Sequence, residues 1–73
     1  MNILIIEDEK RTANDLKRTI FKVLPSAEIL GVIDSIEAGI AFLNDNHDID
    51  VIFSDIQLSD GLSFEIFQSV KNT

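Results

Sequence analysis

With 73 residues the chain has room for one domain, which at that size buries only about 60% of the surface its unfolded form exposes, so the fold is held by a thin margin. Hydrophobic residues at 45% and charged residues at 26% are globular proportions and exclude an intrinsically disordered chain. The net charge of −7 makes nucleic acid and anionic membrane poor partners for this segment, and the lack of cysteine excludes disulfides, thiolate metal sites and a cysteine nucleophile.

The elements follow in chain order. Asn2–Ile6, "NILII", is a nearly continuous apolar run that ends abruptly in carboxylates, the pattern of a strand buried on both faces. From Lys10 to Leu24 the residues Ala13, Leu16, Ile20, Val23 and Leu24 keep the three-and-four spacing of one helix face, and Pro25 ends the helix. Ala27–Ile33 reads as a second strand. Asp34 with Glu37 three residues later reads as an N-cap and capping-box pair, opening a second helix to about Leu43 that buries Ile36, Ile40 and Leu43. The polar stretch Asn44–Asp48 is a loop, and Val51–Ser54 is a third strand ending in Asp55. Gly61 marks a turn. Leu62–Lys71 closes the chain as a third helix with Leu62, Ile66 and Val70 on one side. The start, "MNILIIEDE", has neither a basic leader nor a small-residue cleavage site, and no apolar run is long enough to span a bilayer, so a cytoplasmic chain without a membrane segment is expected.

The order β-α-β-α-β-α with short connections implies an α/β fold: a parallel sheet with right-handed crossovers and helices on both faces. In open sheets of this kind the functional site lies beyond the carboxyl ends of the strands, where the connections diverge. Glu7, Asp8 and Asp55 define that place. If the first and third strands are neighbours, in the flavodoxin-like order 2-1-3, the roughly 4.8 Å between strands brings Asp8 and Asp55 together. Such crowding is repulsive without a cation, and Mg²⁺ suits it, being a hard ion that takes one or two carboxylates and keeps room for water and a phosphate oxygen. One carboxylate is then placed to attack phosphorus and form an aspartyl phosphate.

On these residues the chain resembles the receiver domain of two-component response regulators. The resemblance covers all 73 residues, which correspond to roughly the first three-fifths of a typical receiver. It implies that Glu7 and Asp8 bind Mg²⁺, that Asp55 is the phosphoacceptor, and that Gln57 offers its backbone carbonyl to the metal. "DSIEAGIAFL" is similar to the family's second-helix entry, and "SDIQLSDGLSFEIF" is most like receivers of the LytTR-type transcriptional regulators, whose DNA-binding output domain is separate. The chain departs from the family where Ser59 replaces a usual proline, and where Gly61 follows Asp55 by six residues instead of eight. The family's later hydroxyl residue and lysine belong to fourth and fifth strands that these residues do not include.

Other groups have plainer readings. Glu9 suits a helix N-terminus, where acids are favoured by the dipole. His47, Asp45, Asp48 and Asp50 read as solvated loop residues, and Phe21, Phe42, Phe53, Phe64 and Phe67 mostly as core. Arg11, Arg18 and Lys22 share the outer stripe of the first helix. They are either a solvated face or, as the resemblance implies, the docking face for a histidine kinase or phosphotransfer protein. A phosphatase of the haloacid-dehalogenase type is the enzymatic alternative, but it requires a second aspartate two residues after the nucleophile, and Gln57 cannot donate a carboxyl proton. The expected chain is therefore an acceptor that assists its own phosphorylation without turning over an external substrate. A third reading is an interaction module, because an apolar third strand, "VIF", left at the sheet edge invites pairing with another chain.

Overall fold

The computed structural model describes residues 1–45, 48–58 and 60–69. Strand β1 (Asn2–Ile6) lies at the centre of a three-stranded parallel sheet, flanked by β2 (Glu28–Ile33) and β3 (Val51–Ser54) in the order β2-β1-β3. Helix α1 (Lys10–Val23) connects β1 to β2, and α2 (Ile36–Asp45) connects β2 to β3. The expectation of an α/β chain with strands in the order 2-1-3 is met, and the arrangement is compatible with a flavodoxin-like fold. After β3 the chain forms a small antiparallel hairpin, β4 (Gln57–Leu58) with β5 (Gly61–Leu62), and then α3 (Phe64–Ser69).

The continuous apolar run of β1 follows from its central position. Ile3, Leu4, Ile5 and Ile6 are all fully buried, because the sheet is covered on both faces. Alternation along the strand divides them. Ile3 and Ile5 pack with Ala13, Ile20 and Ala27 beneath α1, whereas Leu4 and Ile6 pack with Ile33, Leu43, Leu58 and Ile66 beneath α2, the hairpin and α3. The path from β1 out to β2 and back across to β3 thus puts α1 on one face and α2 on the other, and the connections diverge above the carboxyl end of β1. Helices α2 and α3 approach closely at Gly39, where a Cβ would stand 2.6 Å from Cδ1 of the buried Ile66.

Several local expectations are corrected. Ser35, not Asp34, caps α2: its Oγ accepts the Ala38 N–H at 3.1 Å. The backbone stays extended through Ile33, so Asp34 falls one position too early to cap. Leu62 belongs to β5, and α3 begins at Phe64; Val70 and Lys71 lie outside the described residues. Val23 is 70% exposed, because the core beneath α1 closes with Ile20 and Ala27 and the last helical residue runs past it. Phe21, Phe53 and Phe67 are exposed as well, while Phe42 packs against the core beneath α2. Phe53 stands beside Ile5 on the face that α1 alone covers, at an outer strand, whereas Phe21 and Phe67 are carried on the solvent sides of α1 and α3. No helix among the described residues is long and apolar enough to cross a membrane.

Candidate metal and phosphoryl site

The three acids converge because two strand ends are held side by side. Asp55 directly follows β3, and its N–H donates to the Ile6 carbonyl at 2.8 Å, continuing the β1–β3 ladder by one step. On the other side of β1 the Glu7 N–H donates to the Ile33 carbonyl at 2.8 Å. The chain then turns through Asp8 into α1. Ligand oxygens of Glu7, Asp8 and Asp55 consequently lie within 4.8 Å of one another. Glu7 is half-buried and the other two are exposed.

Local hydrogen bonds orient two of the carboxylates. The Ile56 N–H donates to Asp55 Oδ1 at 2.8 Å, and the Glu9 N–H donates to Glu7 Oε2 at 3.2 Å. Partial burial pushes the Glu7 carboxyl above the ordinary glutamate value; the charges of Asp55 and Asp8, with a side-chain hydrogen bond to Asp8, push the same way, and the Glu9 N–H opposes them. Glu9 itself occupies the N-cap position of α1 without a side-chain cap bond.

Among the described residues no lysine or arginine forms an ion pair with any member of the triad; the ion pair there joins Arg18 and Asp15 on the outside of α1. A donor set made wholly of carboxylate oxygens fits a hard divalent cation and does not fit the softer metals that select nitrogen or sulfur.

Gln57, the fourth expected ligand, begins β4 two residues after Asp55, opposite Leu62. A cleft of about 250 Å³ opens beside the triad, lined by Glu7, Asp8, Lys10, Asn14, Lys17 and Asp34 among others. Lys17 and Asp34 join Lys10 as neighbours of the acids. Their signal was present in the sequence, since positions 10, 14 and 17 form one helical stripe and Asp34 directly follows a neighbouring strand.

Arg11, Arg18 and Lys22 are exposed along α1, as the outer-stripe reading requires. Asp45 and Asp48 are exposed, and His47 lies outside the described residues. Asp50 is exposed yet structural: its Oδ2 accepts the Asn2 N–H at 2.7 Å, and its own N–H donates to the Asn2 carbonyl at 2.9 Å, tying the start of β3 to the start of β1.

Comparison with family models, with curated proteins and with solved structures returns no match. The functional reading therefore rests on the strand-end geometry and on the residues that occupy it.

Proposed function

We propose that the chain is a receiver-type phosphoacceptor of two-component signalling, which takes a phosphoryl group on Asp55 from a histidine kinase or phosphotransfer protein with Mg²⁺ bound beside it. The observation that carries this reading is the meeting of Glu7, Asp8 and Asp55 within 4.8 Å at the carboxyl ends of two adjacent parallel strands. A cation held by these three carboxylates, with the Gln57 carbonyl as a further donor, supplies positive charge next to the phosphoryl oxygens.

Asp55 supplies the nucleophile. One of its oxygens bonds to phosphorus while the bond from phosphorus to the donor's nitrogen or oxygen breaks, and the leaving group keeps that electron pair and takes a proton from solvent. The Ile56 N–H holds Oδ1 and so presents Oδ2 as the freer oxygen for attack. Exposure of Asp55 suits a group that a partner protein must reach. Glu7 and Asp8 keep the site negative until a cation binds, which ties acceptance to the metal. The exposed residues Arg11, Arg18 and Lys22 form the docking face in this reading. The protein would work in the cytoplasm and, as in LytTR-type regulators, control a separate DNA-binding domain.

Intact-mass measurement after incubation with Mg²⁺ and a small acyl phosphate tests the proposal. One added phosphoryl group, lost in Asp55→Asn and lost with a chelator, is expected. A folded chain that takes up none contradicts it.

A specific observation favours a second role in association. Among the described residues strand β3 is an edge of the sheet, runs in unbroken register along β1, and carries no charge, proline or bulge across Val51–Ser54. Pairing of this edge with a second copy is the association it favours.

A further inference from the structure

The segment after Asp55 must leave the sheet, fold into the β4–β5 hairpin and return to α3, and its course decides where the Asp55 carboxylate stands. Its near end is fixed by the Asp55 N–H on the Ile6 carbonyl, and its far end by the Ser63 N–H on the Ile56 carbonyl at 2.8 Å. Leu58, 3% exposed, anchors the first hairpin strand in the core beneath α2. The tip bears a different kind of tether. Both Asp60 oxygens lie 3.0 Å from the Ile36 nitrogen and accept its N–H, reaching across 24 residues to the first helical residue of α2.

That N–H is one of the donors a helix cannot satisfy internally, and an acid is favoured there by the helix dipole. Ser35 serves a different donor of the same turn, the Ala38 N–H, so the α2 terminus is completed jointly by its own cap and by the hairpin. The tether is therefore shared between two elements, one of which carries the acceptor. We infer that Asp60 is a positioning residue for the acceptor segment: its hold on the Ile36 N–H fixes the hairpin and thereby sets the Asp55 carboxylate relative to Glu7 and Asp8. The inference deepens the phosphoacceptor reading and rests on it for its functional consequence.

The test compares wild type with Asp60→Ala and Asp60→Asn in the full chain. Asparagine keeps an acceptor oxygen and alanine does not. Two quantities are read: calorimetric affinity for Mg²⁺ alone, and amide hydrogen exchange followed by NMR. Asp60→Ala is expected to weaken Mg²⁺ binding by about tenfold, the low end for residues that orient metal ligands. It is also expected to speed exchange at Ile36 and Ile56 while the β1 amides of Leu4–Ile6 keep their wild-type rates, and Asp60→Asn is expected to restore both readouts in large part. Unchanged Mg²⁺ affinity in Asp60→Ala overturns the inference, as does exchange raised equally in β1, which marks a general loss of stability. If wild type itself binds no Mg²⁺, the metal reading fails separately, and exchange at Ile56 then decides the inference: selectively faster supports it, unchanged overturns it.

Discussion

Gly61→Ala should be costly far beyond the loss of one hydrogen atom. Gly61 begins β5 with φ at +146°, a backbone conformation that side-chain-bearing residues rarely adopt, and holding alanine there costs about 1–3 kcal/mol. The new Cβ would also stand 2.7 Å from Cδ1 of Ile36 and 2.8 Å from Oε2 of Glu65, an oxygen that accepts the Leu62 N–H at 3.0 Å. Relieving such contacts typically costs a further ~1–3 kcal/mol, less where a flexible side chain can turn aside. The sum is about 2–6 kcal/mol. A domain of 73 residues has roughly 4–11 kcal/mol of stability in all, from about 0.05–0.15 kcal/mol per residue, so the substitution takes up a large share of it. Thermal unfolding followed by circular dichroism should show a midpoint lowered by at least about 8 °C, since 1 kcal/mol moves a domain of this size by about 4–8 °C. Gly31→Ala is the control. Its Cβ would meet the Phe42 ring at an ordinary 3.4 Å with no unusual φ, and the change expected is within about 1 kcal/mol. A Gly61→Ala protein that unfolds within about 0.5 kcal/mol of wild type, as an ordinary surface change does, would refute the hairpin geometry on which the site depends.

Glu7→Gln probes, through pH, the cost of keeping a partly buried carboxylate charged beside Asp55 and Asp8. A carboxyl whose pKa is raised by folding binds its proton more tightly in the folded chain, so stability falls as pH rises from the ordinary glutamate value through the higher value of the folded state. The advantage of Glu7→Gln over wild type in metal-free solution should accordingly grow as pH rises through that window. Equal pH profiles for the two proteins, measured by thermal unfolding, would show that Glu7 is not under this strain. Phe53→Lys places a charge on the β3 edge, where Phe53 is 37% exposed. Light scattering should show concentration-dependent association of wild type that the variant loses, and a wild type that stays monomeric at high concentration contradicts the edge-pairing proposal.

How much of this was legible in the sequence depends on how many residues each signal occupies. Strands β1 and β3 stand where the apolar runs placed them, because a run that ends in a carboxylate marks both the strand and its exit. Helix α1 likewise extends over Lys10–Val23, one residue short of the expected end at Leu24. The convergence of Glu7, Asp8 and Asp55 was legible too, since it needs only the order of the strands and their spacing. Shorter features were not. Two-residue strands such as β4 and β5 are too brief to show a period, so Leu62 falls in with the neighbouring helical pattern; the turn marked by Gly61 is the one sign of the hairpin that the sequence offers. Asp34 and Ser35 are both good N-caps, and the choice between them is made by where β2 stops, a tertiary fact. The bond from Asp60 to Ile36 joins residues 24 apart through a fold the local pattern does not encode.

The central claim is that Glu7, Asp8 and Asp55 act as one metal-dependent acceptor. It is tested most directly by the rate of phosphoryl uptake from a small acyl phosphate as a function of Mg²⁺ concentration, in wild type and in Asp8→Asn, with folding verified for both by circular dichroism. The account predicts a rate that rises with Mg²⁺ and saturates in wild type, and a folded Asp8→Asn protein whose rate stays low until much higher Mg²⁺. Uptake independent of Mg²⁺, or a folded Asp8→Asn protein that follows the wild-type curve, would contradict it.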